Sequence, residues 1–384
     1  MSVVLERRPL WQRILPVFSG FDLPLLLGLL VLGGLGLLTM YSAGYDHGTR
    51  FVDHGRNMLL ALLLLFLVAQ VPPQRLMRVA VPLYTVGVAL LIATALFGVT
   101  KKGAQRWLNI GVVIQPSELM KLAMPLMLAW WFQKRESQLR TLDFAVAGAL
   151  LLVPVGLVVK QPDLGTAILI LSGGLYVIYF AGLSWRLILP VLLAGMLAVG
   201  ALVFSADQIC QDDVKWPLMR DYQKHRVCTL LDPTTDPLGK GFHIIQGMIA
   251  IGSGGPTGKG FMKGTQTHLE FIPERTTDFI FAAYAEEFGL LGTLSLIACF
   301  SFVLIRGLLI AAEAPTVFTR LLGGALTLSF FTYAMVNMGM VSGILPVVGI
   351  PLPFISYGGT AMVTLGLALG MLMSIAKSRR LMQS

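Results

Sequence analysis

Ten apolar runs set the pattern of the chain. They lie at Leu23 to Ala43, then at about 57–72, 79–99, 112–132, 144–159, 164–183 and 187–206, and, after a polar interval, at 279–305, 321–341 and 358–376. A helix needs roughly 20 such residues to cross a bilayer. Most of the runs reach or approach that length, and lipid-embedded helices tolerate the Gly and Pro inside them. Gly343 to Ile355 is also apolar, but it is short and holds Pro346, Pro351 and Pro353. It reads as a re-entrant or interfacial segment. The pattern predicts an all-α membrane protein, a polytopic bundle of about ten transmembrane helices with one large extracytoplasmic loop at about 207–276 between helices seven and eight. No repeat of solenoid length and no low-complexity tract is visible, and residues 1–384 read as one transmembrane domain.

The first run follows a basic leader with Arg7, Arg8 and Arg13. It exceeds the apolar core of a signal peptide, about 7–15 residues, and so predicts a retained helix. Placing the N-terminus in the cytoplasm puts Arg75, Arg78, Lys134, Arg135, Arg140, Arg186, Arg306, Arg320, Lys377, Arg379 and Arg380 on the same side as that leader. The outer short segments hold Arg50, Arg56, Lys101, Lys102, Arg106, Lys121 and Lys160, half as many cations. This positive-inside bias predicts both termini in the cytoplasm and the long loop on the outer face. Trp11, Trp130, Trp131 and Trp185 fall at the inner boundaries, where indoles anchor helices.

Composition sharpens the class. Hydrophobic residues make up 55% of the chain, charged residues 13%, and mean hydropathy is +0.76. A soluble domain is about a quarter charged, so a soluble enzyme, a disordered tail and a secreted disulfide scaffold are excluded. The net charge of +9 fits loops facing anionic headgroups. No aromatic-rich basic patch of the nucleic-acid kind accompanies it, so no nucleic-acid partner is expected. Cys210 and Cys228 share the outer loop and could pair in an oxidising compartment, which the sequence leaves open. Cys299 lies in a span as a packing residue.

Ionisable groups near a span cost on the order of 3 kcal/mol or more to bury and mark functional candidates. Four places stand out, all toward the outer face. In Gln115-Pro116-Ser117-Glu118-Leu119-Met120-Lys121, Glu118 and Lys121 share a helix face; the pair either serves a substrate or only positions the helix. In Lys160-Gln161-Pro162-Asp163-Leu164-Gly165, Asp163 reads first as a helix cap and second as a holder of a polar headgroup. In the stretch from Glu270 through Glu274, Thr277 and Asp278 to Phe281, Asp278 sits where the loop meets helix eight. A partly desolvated carboxylate there suits a base working near neutral pH, and an N-cap shared with Thr277 is the plainer alternative. Glu286 and Glu287 lie two turns deeper and are hard to explain as a solvated face. In Pro353-Phe354-Ile355-Ser356-Tyr357-Gly358-Gly359-Thr360, the glycines permit close backbone approach at a helix start, which suits a phosphate or a tight turn.

Ser253-Gly254-Gly255-Pro256-Thr257-Gly258-Lys259-Gly260 imitates a nucleotide-binding loop, but Ser253 and Gly260 occupy places where that motif needs Gly and Ser or Thr. It reads as a flexible loop crossing over a substrate site. Three functions fit these features: an enzyme acting on a lipid-linked substrate at the outer face, a transporter or flippase for one, or a non-catalytic scaffold. A coupled transporter places charges near the bilayer midplane, where only Glu286 and Glu287 qualify. A base at the outer boundary favours the enzyme by a small margin.

The ordered motifs resemble those of the SEDS (shape, elongation, division and sporulation) family over about residues 20–380. They are Gln115-Pro116-Ser117-Glu118…Lys121, Gln161-Pro162-Asp163-Leu164-Gly165, Asp236-Pro237-Leu238-Gly239, Gln246-Gly247…Ala250-Ile251-Gly252-Ser253-Gly254-Gly255, Gly264-Thr265-Gln266…His268-Leu269-Glu270-Phe271-Ile272-Pro273-Glu274, Thr277-Asp278-Phe279-Ile280-Phe281 and Pro353-Phe354-Ile355-Ser356-Tyr357-Gly358-Gly359. Each is weak alone; their order on ten spans is specific. Thr276 departs from the pattern, since many relatives have His there, and the Cys210–Cys228 region is a local insertion.

The resemblance implies a peptidoglycan glycosyltransferase of the inner membrane, with its active site on the outer face, that polymerises lipid II for cell elongation and rod shape. Implied partners are lipid II, the nascent glycan strand, a class B penicillin-binding transpeptidase and the elongation machinery. A lipid II flippase and a non-catalytic elongation-complex scaffold are the alternatives. Asp278 matches the catalytic acid of the family. Glu118, Lys121 and Asp163 match other polar positions held to matter, and Arg106, Glu274, Thr277, Ser356 and Tyr357 complete the candidate substrate-binding set. An α-linked diphosphate donor and a β-1,4 product require inversion: a base on the acceptor hydroxyl and charge stabilisation on the leaving diphosphate. Asp278 would be the base. Lys121, Arg106, other outer cations or a divalent metal would stabilise the diphosphate; no protein metal site is expected.

Overall fold

The computed structural model describes residues 20–383 apart from 47, 102–103, 110, 112, 212–213, 215–220, 237–238, 270 and 273. Arg7, Arg8, Trp11, Arg13, Lys102, Pro237, Leu238, Glu270 and Pro273 therefore lie outside the described residues. Long helices occupy the ten apolar runs: α1 (Leu23–Ala43), α2 (Arg50–Ala69), α3 (Pro73–Phe97), α4 (Pro116–Lys134), α5 (Thr141–Lys160), α6 (Leu164–Phe180), α7 (Trp185–Phe204), α8 (Ile280–Ala312), α9 (Val317–Val341) and α10 (Gly359–Gln383). Among the described residues, seven helices are long and apolar enough to cross a membrane by length and composition. Helix α2 begins well before its apolar run, so Arg50 and His54 belong to the helix. Hydropathy misses that polar first turn.

Two features depart from a plain helical bundle. Between α3 and α4 the chain forms a small antiparallel sheet, β1 (Val99–Lys101), β2 (Ala104–Asn109) and β3 (Val113–Ile114), with β2 central. The fold is the helical bundle the sequence predicts, with this small sheet as a local addition that carries Arg106 on β2. The long segment between α7 and α8 is also structured. It carries helices at Asp221–Leu231 and Lys240–Ser253, and Cys210 is bonded to Cys228 with their Cα atoms 5.6 Å apart.

Glycine decides how closely the helices pack, since lipid tails supply little hydrophobic drive between spans. A Cβ at Gly366 or Gly370 of α10 would lie 2.5 or 2.8 Å from the Ala61 or Leu65 carbonyl oxygen of α2. At the end opposite Asp278, Asp22 caps α1 through the Leu25 amide and takes a two-pronged bond from Arg306 of α8 at 2.9 and 2.6 Å. Helix α7 stands apart, with Leu187, Leu189, Leu193, Met196, Leu197 and Phe204 exposed.

Helix α8 is interrupted at Gly289, whose φ is +63°. The segment 255–260 fills the break. Leu290 and Leu291 donate to the carbonyls of Gly255 and Pro256, while Lys259 and Gly260 donate to those of Glu286 and Glu287. A Cβ at Gly258 would meet the Glu287 oxygen at 2.1 Å, so only glycine permits this approach. The glycine-rich segment is therefore pinned to α8. The expectation of a flexible loop over a substrate site fails because its backbone groups complete the broken helix.

Candidate active site

Asp278 lies on a turn, residues 274–279, that ends the long segment between α7 and α8. The turn closes on the Glu274 carbonyl, which accepts from Thr277 N at 3.0 Å and Phe279 N at 3.3 Å, and Glu274 takes a positive φ of 55° to make it. The helix that follows has Phe279 at its N-cap, with no side-chain cap. The N-cap position of α8 thus belongs to Phe279 and not to Asp278.

Each successive residue of the turn is held by a different element. Arg275, buried, donates Nε to the Ala43 carbonyl at 3.0 Å and Nη2 to Asp46 at 2.5 Å. Thr276, fully buried, accepts from Arg50 of α2 through its hydroxyl and from Tyr357 N through its carbonyl at 2.8 Å. The Thr277 carbonyl accepts from Ser356 Oγ at 2.6 Å, and the Asp278 carbonyl from Asn337 Nδ2 of α9 at 2.9 Å. Asp278 itself is half-buried, and its Oδ2 lies beside Gly349, where a Cβ would come within 3.3 Å. Backbone carbonyls held on three consecutive residues, Thr276 to Asp278, with the Arg275 side chain tied down beside them, fix the position of the carboxylate. Such fixed placement is what a positioned base requires.

The segment 343–358 between α9 and α10 is irregular and buried at Ile350, Leu352, Phe354 and Ile355, as the re-entrant reading expects. Non-helical backbone at this depth needs internal partners. Asn337 supplies one to the Ile350 carbonyl at 2.7 Å, and Ser356 Oγ accepts from Leu352 N at 2.8 Å. The same segment bridges the candidate groups. A Cβ at Gly165, at the start of α6, would meet the Val348 carbonyl at 2.8 Å, and the next residue, Gly349, abuts Asp278.

Two further polar clusters flank it. Asp163 caps α6 through the Thr166 amide at 3.3 Å, as the plainer reading holds, and also accepts from Gln115 at 3.0 Å. Arg106 from β2 stands 3.7 Å from Asp163 and donates to the Pro162 carbonyl at 3.2 Å. Glu118 and Lys121 of α4 pair at 2.5 Å, Thr364 of α10 donates to Glu118 at 2.9 Å, and Lys121 lies 5.2 Å from the Tyr333 ring centre. A cavity of about 20 Å³, room for one water, adjoins Lys121, Tyr333 and Thr364. Ser356 and Tyr357 act through the Asp278 turn, and the Glu274 carboxylate takes the Thr277 hydroxyl at 2.8 Å while remaining exposed. Asn337, Thr364 and Tyr333 escaped the sequence reading, because lone amides and hydroxyls carry no motif of their own; Gln115 entered only as a letter of its motif and Arg50 only as one of several cations. No cluster of three or more His, Cys, Asp or Glu fit for a metal occurs among the described residues.

Glu286 belongs elsewhere. Fully buried, it accepts from Lys259, Thr265, Gln266 and Thr267, so it fastens the long loop to α8. Glu287 takes the Ser42 hydroxyl of α1. Neither stands as a solitary midplane charge.

Comparison with known proteins gives concordant matches. The profile of the FtsW/RodA/SpoVE family, described as a cell cycle protein, matches residues 17–381. The peptidoglycan glycosyltransferase MrdB of Escherichia coli K12 is 44% identical, over 98% of both chains. A chain from a structure described as the structural coordination of polymerization and crosslinking by a peptidoglycan synthase complex superposes with a TM-score of 0.76 at 33% identity, covering 94% of this chain and 98% of that one. The rod shape determining protein RodA of Thermus thermophilus does so with a TM-score of 0.69 at 28% identity, with the same coverage.

Proposed function

The chain belongs to the FtsW/RodA/SpoVE family, and on that premise we propose that this multi-pass membrane protein is a peptidoglycan glycosyltransferase that polymerises lipid II at the outer face of the inner membrane. The reading rests on one observation above all: Asp278 is held on a turn anchored at four successive residues, half-exposed, and is not the N-cap of α8. In this reading Asp278 takes the proton of the acceptor hydroxyl as that oxygen attacks the anomeric carbon of the donor, and the diphosphate leaves from the opposite side with inversion. Glu118, Lys121, Asp163 and Arg106 line the neighbouring polar region and orient the headgroup. A divalent metal, when bound, would neutralise diphosphate charge. A class B penicillin-binding transpeptidase is the partner, in keeping with a matched chain drawn from a peptidoglycan synthase complex.

The test is a polymerisation assay on purified protein with its partner and lipid II. The wild type should yield glycan strands and Asp278→Ala should yield none while keeping its thermal stability. An active Asp278→Ala would remove the base. Lipid II scrambling in liposomes without polymer would establish the flippase reading instead.

A further inference from the structure

Charge matching at the Asp278 end of the bundle singles out one side chain. The two cations that the sequence names individually for a diphosphate are already matched, Lys121 to Glu118 at 2.5 Å and Arg106 to Asp163 at 3.7 Å. Arg275, on the Asp278 turn itself, is matched to Asp46 at 2.5 Å. Arg50 differs. The first residue of α2, half-buried, it donates to Thr276 Oγ1 and lies 5.9 Å from the Tyr357 ring centre. Among the described residues it has no carboxylate partner. A hydroxyl and an aromatic face orient a guanidinium without neutralising it. Its anchor is two residues from Asp278.

We infer that Arg50 is a further catalytic residue, the cation that receives the diphosphate leaving group; the inference rests on the polymerase reading above. In the step, the acceptor hydroxyl oxygen forms its bond to the donor anomeric carbon. The bond from that carbon to the diphosphate oxygen breaks, and the electron pair stays on the diphosphate. The acceptor proton passes to Asp278. Negative charge grows on the departing oxygen in the transition state, and a cation held in place beforehand stabilises it without reorganising. Arginine suits the task because its planar fork matches two phosphate oxygens at once. A cation already shared with a carboxylate offers less, since the diphosphate must compete with that partner for it.

The experiment compares wild type, Arg50→Ala, Arg50→Lys and Asp278→Ala in the lipid II polymerisation assay, each as full chain with its partner. Arg50→Ala should lose about 10²–10³-fold in kcat with little change in KM. Arg50→Lys should recover part of that loss, and millimolar guanidinium should partly rescue Arg50→Ala at unchanged thermal stability. Polymerisation at the wild-type rate by Arg50→Ala overturns the inference. So does a loss that neither lysine nor guanidinium repairs and that accompanies a lowered melting temperature, which marks a purely structural arginine. A wild type that makes no polymer, or an active Asp278→Ala, defeats the underlying reading instead, so the two failures are distinguishable.

Discussion

Glu286→Gln isolates the fastening of the long loop to the bundle. The wild-type carboxylate is fully buried and accepts from Lys259 Nζ at 2.7 Å, Thr265 Oγ1 at 3.1 Å, Gln266 N at 2.8 Å, Thr267 N at 3.1 Å and Thr267 Oγ1 at 3.0 Å. Every partner is a donor. A glutamine of the same shape removes the charge and turns one amide NH₂ against those donors. Hydrogen bonds to a charged group contribute about 1.5–3 kcal/mol each, and breaking one side of a buried ion pair costs about 3–5 kcal/mol. These figures overlap and do not add, so about 3 kcal/mol is the lower expectation for this anchor. Each 1.4 kcal/mol is roughly a factor of ten in an opening equilibrium. The amides of Gln266 and Thr267 should therefore exchange with solvent deuterium at least about 10²-fold faster in the variant. Hydrogen exchange with mass-spectrometric readout over residues 255–271 measures it. Exchange unchanged from wild type would refute the anchor and return Glu286 to the list of functional charges.

Two further outcomes follow from packing and pairing. Lys121→Met should strand Glu118 and lower stability by about 3–5 kcal/mol, whereas the double variant Lys121→Met/Glu118→Met should regain most of the melting temperature without regaining polymerisation; recovered polymerisation would reduce the pair to positioning α4. Gly36→Ala should destabilise by about 1–3 kcal/mol and slow polymerisation, because its Cβ would lie 2.1 Å from the Phe354 carbonyl on the segment that carries Ser356. Gly34→Ala is the control, with nothing within 4 Å of its Cβ, and equal melting temperatures for the two variants would contradict the packing argument.

The ten long helices, the long loop and the irregular 343–358 segment were legible in the sequence alone, because a bilayer demands about 20 apolar residues per helix and proline-rich pieces cannot meet that demand. It also placed Asp278, Glu118, Lys121 and Asp163 on the short list, since charge beside a span is costly enough to need a reason. Tertiary structure decided what each charge does. Asp163 and Asp278 looked alike as helix-start acids, yet Asp163 is the N-cap of α6 whereas the N-cap of α8 is Phe279. Glu286 looked like a membrane-embedded carboxylate and proved to be the loop's fastening. The glycine-rich segment looked mobile and instead repairs the break at Gly289. Pairing depends on which side chain arrives from a distant part of the chain, as Arg50 does at Thr276 across 226 positions. Local pattern carries no record of such meetings.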